Sequence, residues 1–203
     1  MKFHMKDRVR RGCIVIGCGL ISCSVILLVC HRVLLYVSVE KATQYVSILR
    51  TLMPDPEPAV PEKQINDRMP VISVDGMDFI GILEYPQYES CLPVCAKLGD
   101  TDFYPCKYTG SVYDGTLIVR STNQKGQYPF VQDINISDIF YFTDMVGNQY
   151  SYRVSEILHR NDADKEILYD NDADLVLFIK NNYAFEYTII YMRTITFAKE
   201  VVE

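Results

Sequence analysis

The stretch from Asp174 to Tyr191 reads DLVLFIKNNYAFEYTIIY, and the fold is decided here. Leu175–Ile179 is a continuous apolar run of the length typical of a strand that is buried on both faces. Thr188–Met192 is a second such run, rich in β-branched residues, and a polar loop, Asn181–Glu186, separates the two. We therefore predict two neighbouring strands whose connecting loop lies where side chains from several strands can converge on a ligand.

The chain before this stretch alternates short apolar runs with turn residues. Strands are predicted at Phe79–Leu83 and Leu117–Val119. Two more, Ile139–Thr143 and Gln149–Val154, flank Val146–Asn148, whose glycine and asparagine suit a tight hairpin. No helical run of comparable strength lies among these segments. The pattern predicts an all-β fold, a barrel with minor helices.

Three segments together resemble one known family. Asp174–Lys180 resembles the segment Asp-Leu-Thr-Leu-x-Thr-Cys that ends in the nucleophilic cysteine of sortases, the membrane-anchored cysteine transpeptidases of Gram-positive bacteria. In that register Lys180 takes the cysteine position, and seven residues later Tyr187 takes the position of the family's arginine. Upstream, Gly115–Asn123 is similar to Asn-Val-Val-Ile-Ala-Gly-His-Asn, which puts Thr122 at the histidine.

The resemblance extends from about Asp75 to Arg193 and is closest to class B and class D-like sequences. Its other parts are Asp75–Pro86, Leu92–Val94, Pro105–Ser111 and Ser137–Val154. It implies a sortase-like β-barrel. It also implies a function, because a sortase cysteine attacks a peptide carbonyl in a sorting signal such as Leu-Pro-x-Thr-Gly, and an amine then resolves the thioester.

All three catalytic identities are missing at the aligned positions. An acylated Lys180 would be an amide, which is too stable for turnover, and the Thr122 hydroxyl does not titrate near neutrality. Tyr187 can donate a hydrogen bond but carries no positive charge. We predict no catalytic residue and no cofactor: Lys180 as a solvated lysine at a strand end, Thr122 as a loop residue, and Tyr187 as an aromatic at a cleft wall.

The preferred hypothesis is a pseudo-sortase whose cleft binds a sorting-signal peptide or a surface or pilin protein, in cell-wall protein or pilus assembly, alongside an active sortase. An active sortase in which Cys91, Cys95 or Cys106 supplies the thiol is the first alternative. A purely structural component of the cell envelope is the second.

Charge excludes one class of partner. The formal net charge is −6, yet residues 1–11 hold five cations against one acid, so they carry +4 and the remainder carries −10. Nucleic acid binding requires a basic face that neutralises phosphates. We therefore predict no nucleic acid partner.

The cysteines and carboxylates indicate no metal site. Four of the seven cysteines, Cys13, Cys18, Cys23 and Cys30, lie in the apolar N-terminal run, and the other three allow at most one disulfide. The sequence Asn-Asp-Ala-Asp occurs at 161–164 and at 171–174, and Asp170, Asp172 and Asp174 begin like a calcium loop. Leu175 and Asn181 replace the glycine and the final glutamate that such a loop needs.

The N-terminus indicates a membrane anchor. Residues 1–11 form a basic cytoplasmic tail, and residues 12–37 a transmembrane signal anchor, since an apolar helix of this length crosses a ~30 Å hydrocarbon layer. The positive-inside rule puts the C-terminal domain outside the cell. An uncleaved anchor is favoured over a signal peptide or lipidation at Cys23, because the chain stays apolar after that cysteine.

Residues 38–70 are predicted as a juxtamembrane helix followed by a proline-rich stalk, and residues 71–203 as the sortase-like domain. Prolines at 54, 56, 58 and 61 end the helix and favour an extended spacer.

Overall fold

The computed structural model describes residues 3–61, 68–99, 103–123, 128, 131, 133–161, 168, 172–181 and 186–195; for residues 3–13, 31, 34–36, 38 and 39 it describes the backbone only. The chain forms two compact units, Met1–Ser38 and Val39–Glu203. Helix α1, Phe3–Leu52, begins in the first unit and ends in the second.

In the first unit, large apolar side chains from Ile14 to Val37 are exposed. Over the part of the chain that the structure describes, no helix is long and apolar enough to cross a membrane.

The second unit is built mainly of strands, and its described residues also include the end of helix α1 and a short 3-10 helix at Pro86–Tyr88. The described strands are β1 (Glu57–Ala59), β2 (Ile72–Val74), β3 (Met77–Tyr85), β4 (Ser90–Cys95), β5 (Cys106–Thr109), β6 (Leu117–Asn123), β7 (Ile139–Asp144), β8 (Asn148–Arg160), β9 (Leu175–Asn181) and β10 (Tyr187–Thr194). Every strand predicted from the apolar runs is confirmed, and so is the β7–β8 turn, where Gly147 has φ 89°. The fold class is all-β, as predicted.

Strand pairing closes the sheet into a barrel. Strands β3, β4, β5, β6, β9, β10, β8 and β7 follow one another around it, and β7 pairs with β3 to complete the ring. Strands β1 and β2 add to the outside of this ring, on β8 and β3. Every ring strand therefore has a neighbour on both sides, although β4 and β5 meet at a single bridge between Cys95 and Cys106.

Strand β9 is buried on both faces, because each face meets a different apolar cluster. Alternate residues Leu175, Leu177 and Ile179 belong to the barrel interior. Val176 and Phe178 belong to an outer cluster on β6, β9 and β10. The prediction that Leu175–Ile179 is buried on both faces is therefore confirmed. Strand β9 lies between β6 and β10, the other two strands that carry aligned catalytic positions.

The folded unit begins earlier in the chain than the predicted boundary at Val71. Ala42, Tyr45, Val46 and Leu49 of α1 are buried in a cluster with Phe79 and other residues of the barrel, as the apolar stripe on this helix allows. Helix α1 ends at Leu52, before Pro54 as predicted.

The proline-rich segment also belongs to this unit. Its strand β1 pairs in parallel with β8. At the start of β1, the Glu57 backbone amide donates a 2.8 Å hydrogen bond to the Gly147 carbonyl. Proline is tolerated in β1 because this strand lies at a sheet edge. Residues 39–59 are therefore part of the barrel unit, not a free juxtamembrane helix and stalk.

Candidate functional site

The structure brings the three aligned catalytic positions into one row. Lys180 is the register partner of Thr122 on the parallel neighbour β6, and it is also the register partner of Tyr187 on the antiparallel neighbour β10. Side chains of directly opposed residues on adjacent strands point to the same face of a sheet. Thr122, Lys180 and Tyr187 therefore lie side by side on the outer face of the barrel. Thr122 is a strand residue, which corrects its prediction as a loop residue.

Arg160 extends this row on a fourth strand. It is the register partner of Tyr187 across the β8–β10 pair. No sequence signal marks Arg160, because its position depends on a long-range pairing that shifts at a bulge between Tyr191 and Met192. We call Thr122, Lys180, Tyr187 and Arg160 the cross-strand row. Arg193, by contrast, pairs with Arg153 at the other end of β10.

An aromatic pair supports the middle of the row. The rings of Phe178 and Tyr187 stack with their centroids 4.9 Å apart and their planes 7° from parallel. Phe178 is buried and Tyr187 is half-buried. Stacking on a buried ring restricts the rotamers of Tyr187. Its role as an aromatic at a cleft wall stays a prediction.

His159 directly precedes Arg160 of the row, but its side chain lies on the opposite face of the sheet. It belongs to the end of β8, and its Nδ1 is 3.2 Å from the Thr188 hydroxyl. The Thr188 hydroxyl also accepts a 3.2 Å hydrogen bond from the side-chain amide of Asn181. Because consecutive strand residues point to opposite faces, Thr188 and His159 lie across the sheet from Tyr187. The histidine therefore contacts the strand ends on the face opposite to the row.

A pocket of about 250 Å³ opens beside Thr122. Its lining comes from β6 and from the segment around β5: Leu98, Gly99, Tyr104, Cys106, Arg120, Ser121 and Thr122. Arg120 lies two residues before Thr122 and so points to the same face. The sequence does not identify this pocket, because it forms between segments that meet only in the folded barrel.

The site carries a local positive charge. Within the described residues, Arg120, Arg160 and Lys180 form no side-chain hydrogen bond or ion pair. This concentration of cations contrasts with the net charge of −10 outside residues 1–11. Cations that have no partner among the described residues favour an anionic group on a ligand.

Cys91 lies two strands away from the row and is not activated. Its pKa is raised, chiefly by burial and next by the Glu84 carboxylate, while Arg50 acts in the opposite direction. The Arg50 guanidinium donates to the Cys91 sulfur at 3.4 Å and forms an ion pair with Glu84. A nucleophilic cysteine needs the thiolate form, and the raised pKa opposes it.

Cys95 and Cys106 are buried, with 0% and 1% of their surfaces exposed. Cys106 is the register partner of Arg120 and lines the pocket next to Thr122, and its thiol donates to the Tyr104 carbonyl at 3.4 Å. Burial in apolar surroundings slows the reaction of such thiols with reagents in solution, because the reaction requires local opening of the fold.

Asp174, the acidic residue directly before β9, has a structural role. Asp174 accepts a 2.7 Å hydrogen bond from the Thr194 amide and lies against Gly115. Asp170 and most of the first Asn-Asp-Ala-Asp sequence lie outside the described residues. In the described part of the chain, no three His, Cys, Asp or Glu side chains are grouped as metal ligands.

Comparisons with known proteins identify the fold. No protein-family model matches the sequence, and no curated protein matches it. The structure of sortase A from Corynebacterium diphtheriae matches with a TM-score of 0.52 at 14% identity, over 82% of this chain and 86% of that one. A lid mutant of the same enzyme matches with a TM-score of 0.51 at 14% identity, over 61% of this chain and 73% of that one.

The match agrees with the strand pairing described above, in which eight strands close a barrel and the aligned positions lie on three adjacent strands. Identity at this level supports a common fold and leaves activity to be argued from the site itself. The protein has the sortase fold.

Proposed function

We propose that this chain is a catalytically inactive member of the sortase family that binds a peptide or surface-protein partner in cell-wall protein or pilus assembly. The observation that carries the proposal is the register of β6, β9 and β10, which puts Thr122, Lys180 and Tyr187 side by side. The three aligned positions therefore lie together, and their residue types differ from those of the family.

The residues of the row suit binding better than transpeptidation. Transpeptidation needs a nucleophile whose acyl product breaks down readily, a group that exchanges protons near neutral pH, and a donor for the oxyanion. Lys180 and Thr122 supply neither of the first two. Together with Tyr187 they offer an ammonium group and two hydroxyls, which can hold a polar ligand group in place.

The charge of the site indicates the class of ligand. Lys180 and Arg160 flank Tyr187 within the row, and Arg120 lines the adjoining pocket. We expect the preferred peptide to carry a carboxylate that these cations contact.

Mass spectrometry tests the loss of activity. The full chain is incubated with sorting-signal peptides and an amine acceptor, and an active sortase serves as the positive control. We expect no cleaved or ligated peptide and no thioester on the chain. A ligated product would overturn the proposal.

Binding is tested with the same peptides by fluorescence anisotropy, in pairs that differ only by Asp or Asn. We expect the acidic member to bind more tightly and Lys180→Glu to weaken its binding by about tenfold to a hundredfold, the usual worth of a hydrogen bond to a charged group. Lys41→Glu is the matched control, because Lys41 is an exposed lysine on α1. Equal loss in both variants would refute this role of Lys180.

An active sortase that uses Cys106 is the second candidate. The observation that favours it is the position of this thiol in the pocket beside Thr122. The same experiment separates the two, because this enzyme would accumulate a thioester on Cys106. Its 1% exposure favours the binding protein.

We further propose that residues 12–37 anchor the chain in the plasma membrane with the barrel unit outside the cell. The support is the uncharged run Gly12–Cys30 with the basic residues before it, and the exposed apolar side chains of α1. Alkaline carbonate extraction of cells that make the full chain is the test. Release of the chain into the soluble fraction would contradict the anchor.

A further inference from the structure

We propose that Cys95 and Cys106 are a disulfide-forming pair that joins β4 to β5 beneath helix α1. The two residues are register partners on these parallel strands, and the Cys95 amide donates to the Pro105 carbonyl at 2.8 Å. Adjacent strands lie about 4.8 Å apart. That separation is within the Cα distances, about 4.4 to 6.8 Å, that a disulfide requires.

Both side chains point to the same face of the sheet. They belong to one buried cluster together with Tyr45 and Leu49 of α1. A disulfide can form only when the two Cα–Cβ bonds do not point away from each other. Opposed residues whose side chains lie on one face of the sheet meet this condition.

Cys91, the third cysteine of the barrel unit, is too far from Cys95 and from Cys106 to form a disulfide with either. Cys91 lies four residues before Cys95 on the same strand, which puts their Cα atoms about 13 Å apart at ~3.3 Å per residue. Because Cys106 lies opposite Cys95, it is similarly distant from Cys91. Cysteines more than about 7 Å apart cannot be joined without moving the backbone. The register therefore selects one pair from the three that the composition allows.

The chemistry is thiol–disulfide exchange with a disulfide donor such as oxidised glutathione. One thiol loses its proton and attacks the donor, forming a mixed disulfide and releasing one molecule of reduced glutathione. The second thiol then displaces the second glutathione, so the two cysteines lose two protons and two electrons and the donor gains them. Since both thiols are buried, the bond forms while the chain folds or when this region opens locally.

The bond would brace one wall of the candidate site. Leu98, Gly99 and Tyr104 lie between the two cysteines in the sequence and line the pocket beside Thr122. This consequence goes beyond the proposed function, and the bond itself is tested without any ligand.

The experiment is disulfide mapping of the full chain after refolding from urea in a glutathione redox buffer. Remaining thiols are alkylated and the chain is cut with trypsin, which leaves Cys95 in the peptide Met69–Lys97 and Cys106 in the peptide Leu98–Lys107. We expect these two peptides to be linked, with fragmentation placing the bond on Cys95. We expect the folded chain to form the same link more slowly in the same buffer. The test of the Cys95–Cys106 bond then does not depend on refolding.

Cys91→Ala is the matched control, and it should keep the link that Cys95→Ala removes. Reduction should lower the midpoint of thermal unfolding by about 5 to 15 °C, the range expected for a disulfide in a domain of this size. Full alkylation of both cysteines after equilibration, or a link from Cys106 to Cys91 or to the peptide Gly12–Arg32, would overturn the proposal.

Discussion

Replacing Leu49 with alanine tests whether the end of helix α1 belongs to the core of the barrel unit. Leu49 is 0% exposed and packs in the cluster that contains Phe79 and Ile82. Truncation removes the buried isobutyl group and leaves a cavity, and changes of this kind cost about 3 to 5 kcal/mol. In a protein of this length each kcal/mol lowers the unfolding midpoint by roughly 2 to 4 °C. We expect a decrease of about 6 to 20 °C.

The matched control is Leu52→Ala, the same substitution three residues later at a position that is 57% exposed. We expect a change within about 0.5 kcal/mol, as for other surface substitutions. The chain has no tryptophan and 15 tyrosines, so thermal unfolding is followed by tyrosine fluorescence and by circular dichroism at strand wavelengths. If both variants unfold at the same temperature, residues 39–52 are a free juxtamembrane helix and our description of the barrel unit is refuted.

Three further predictions concern the barrel. Gly81→Ala should destabilise it by at least 2 kcal/mol in urea unfolding, because a Cβ there would lie 2.4 Å from the Phe142 ring and 2.5 Å from the Thr143 carbonyl oxygen; a smaller loss would refute this close approach. Burial raises the pKa of Tyr104 to about 12, so its contribution to stability is complete below pH 10 and is lost between pH 10 and 12. Tyr104→Phe should reduce this alkaline loss, and an unchanged pH profile would contradict the assignment. The raised pKa of Cys91 keeps it a thiol at neutral pH, so iodoacetamide should modify it more slowly than free cysteine at pH 7; a rate equal to that of free cysteine would contradict this.

Much of the fold follows from local sequence patterns. The apolar runs correspond to strands β3, β6, β7, β8, β9 and β10 because burial of alternate or consecutive residues is what a strand in a barrel needs. The stop at Pro54 follows in the same way from the geometry of proline. The resemblance to sortases adds the positions of Thr122, Lys180 and Tyr187, which the register then places together.

Several features of the site depend on contacts between distant parts of the chain. Arg160 is opposite Tyr187 only because β8 pairs with β10 in a register that includes a bulge. Cys95 is opposite Cys106 only because one parallel bridge joins β4 to β5. Such register depends on which residues pair across the sheet, and periodicity within a strand carries no information about the partner strand.

The sequence by itself determined that this chain is mainly β with an apolar N-terminal segment, because these properties depend on residue types and their local spacing. The barrel and the three aligned positions came from the resemblance to sortases. Only the tertiary structure decided which cations and thiols are neighbours and that residues 39–59 join the barrel. An amphipathic helix indicates that it will cover an apolar surface, but the identity of that surface is determined only when the strands have paired around the barrel.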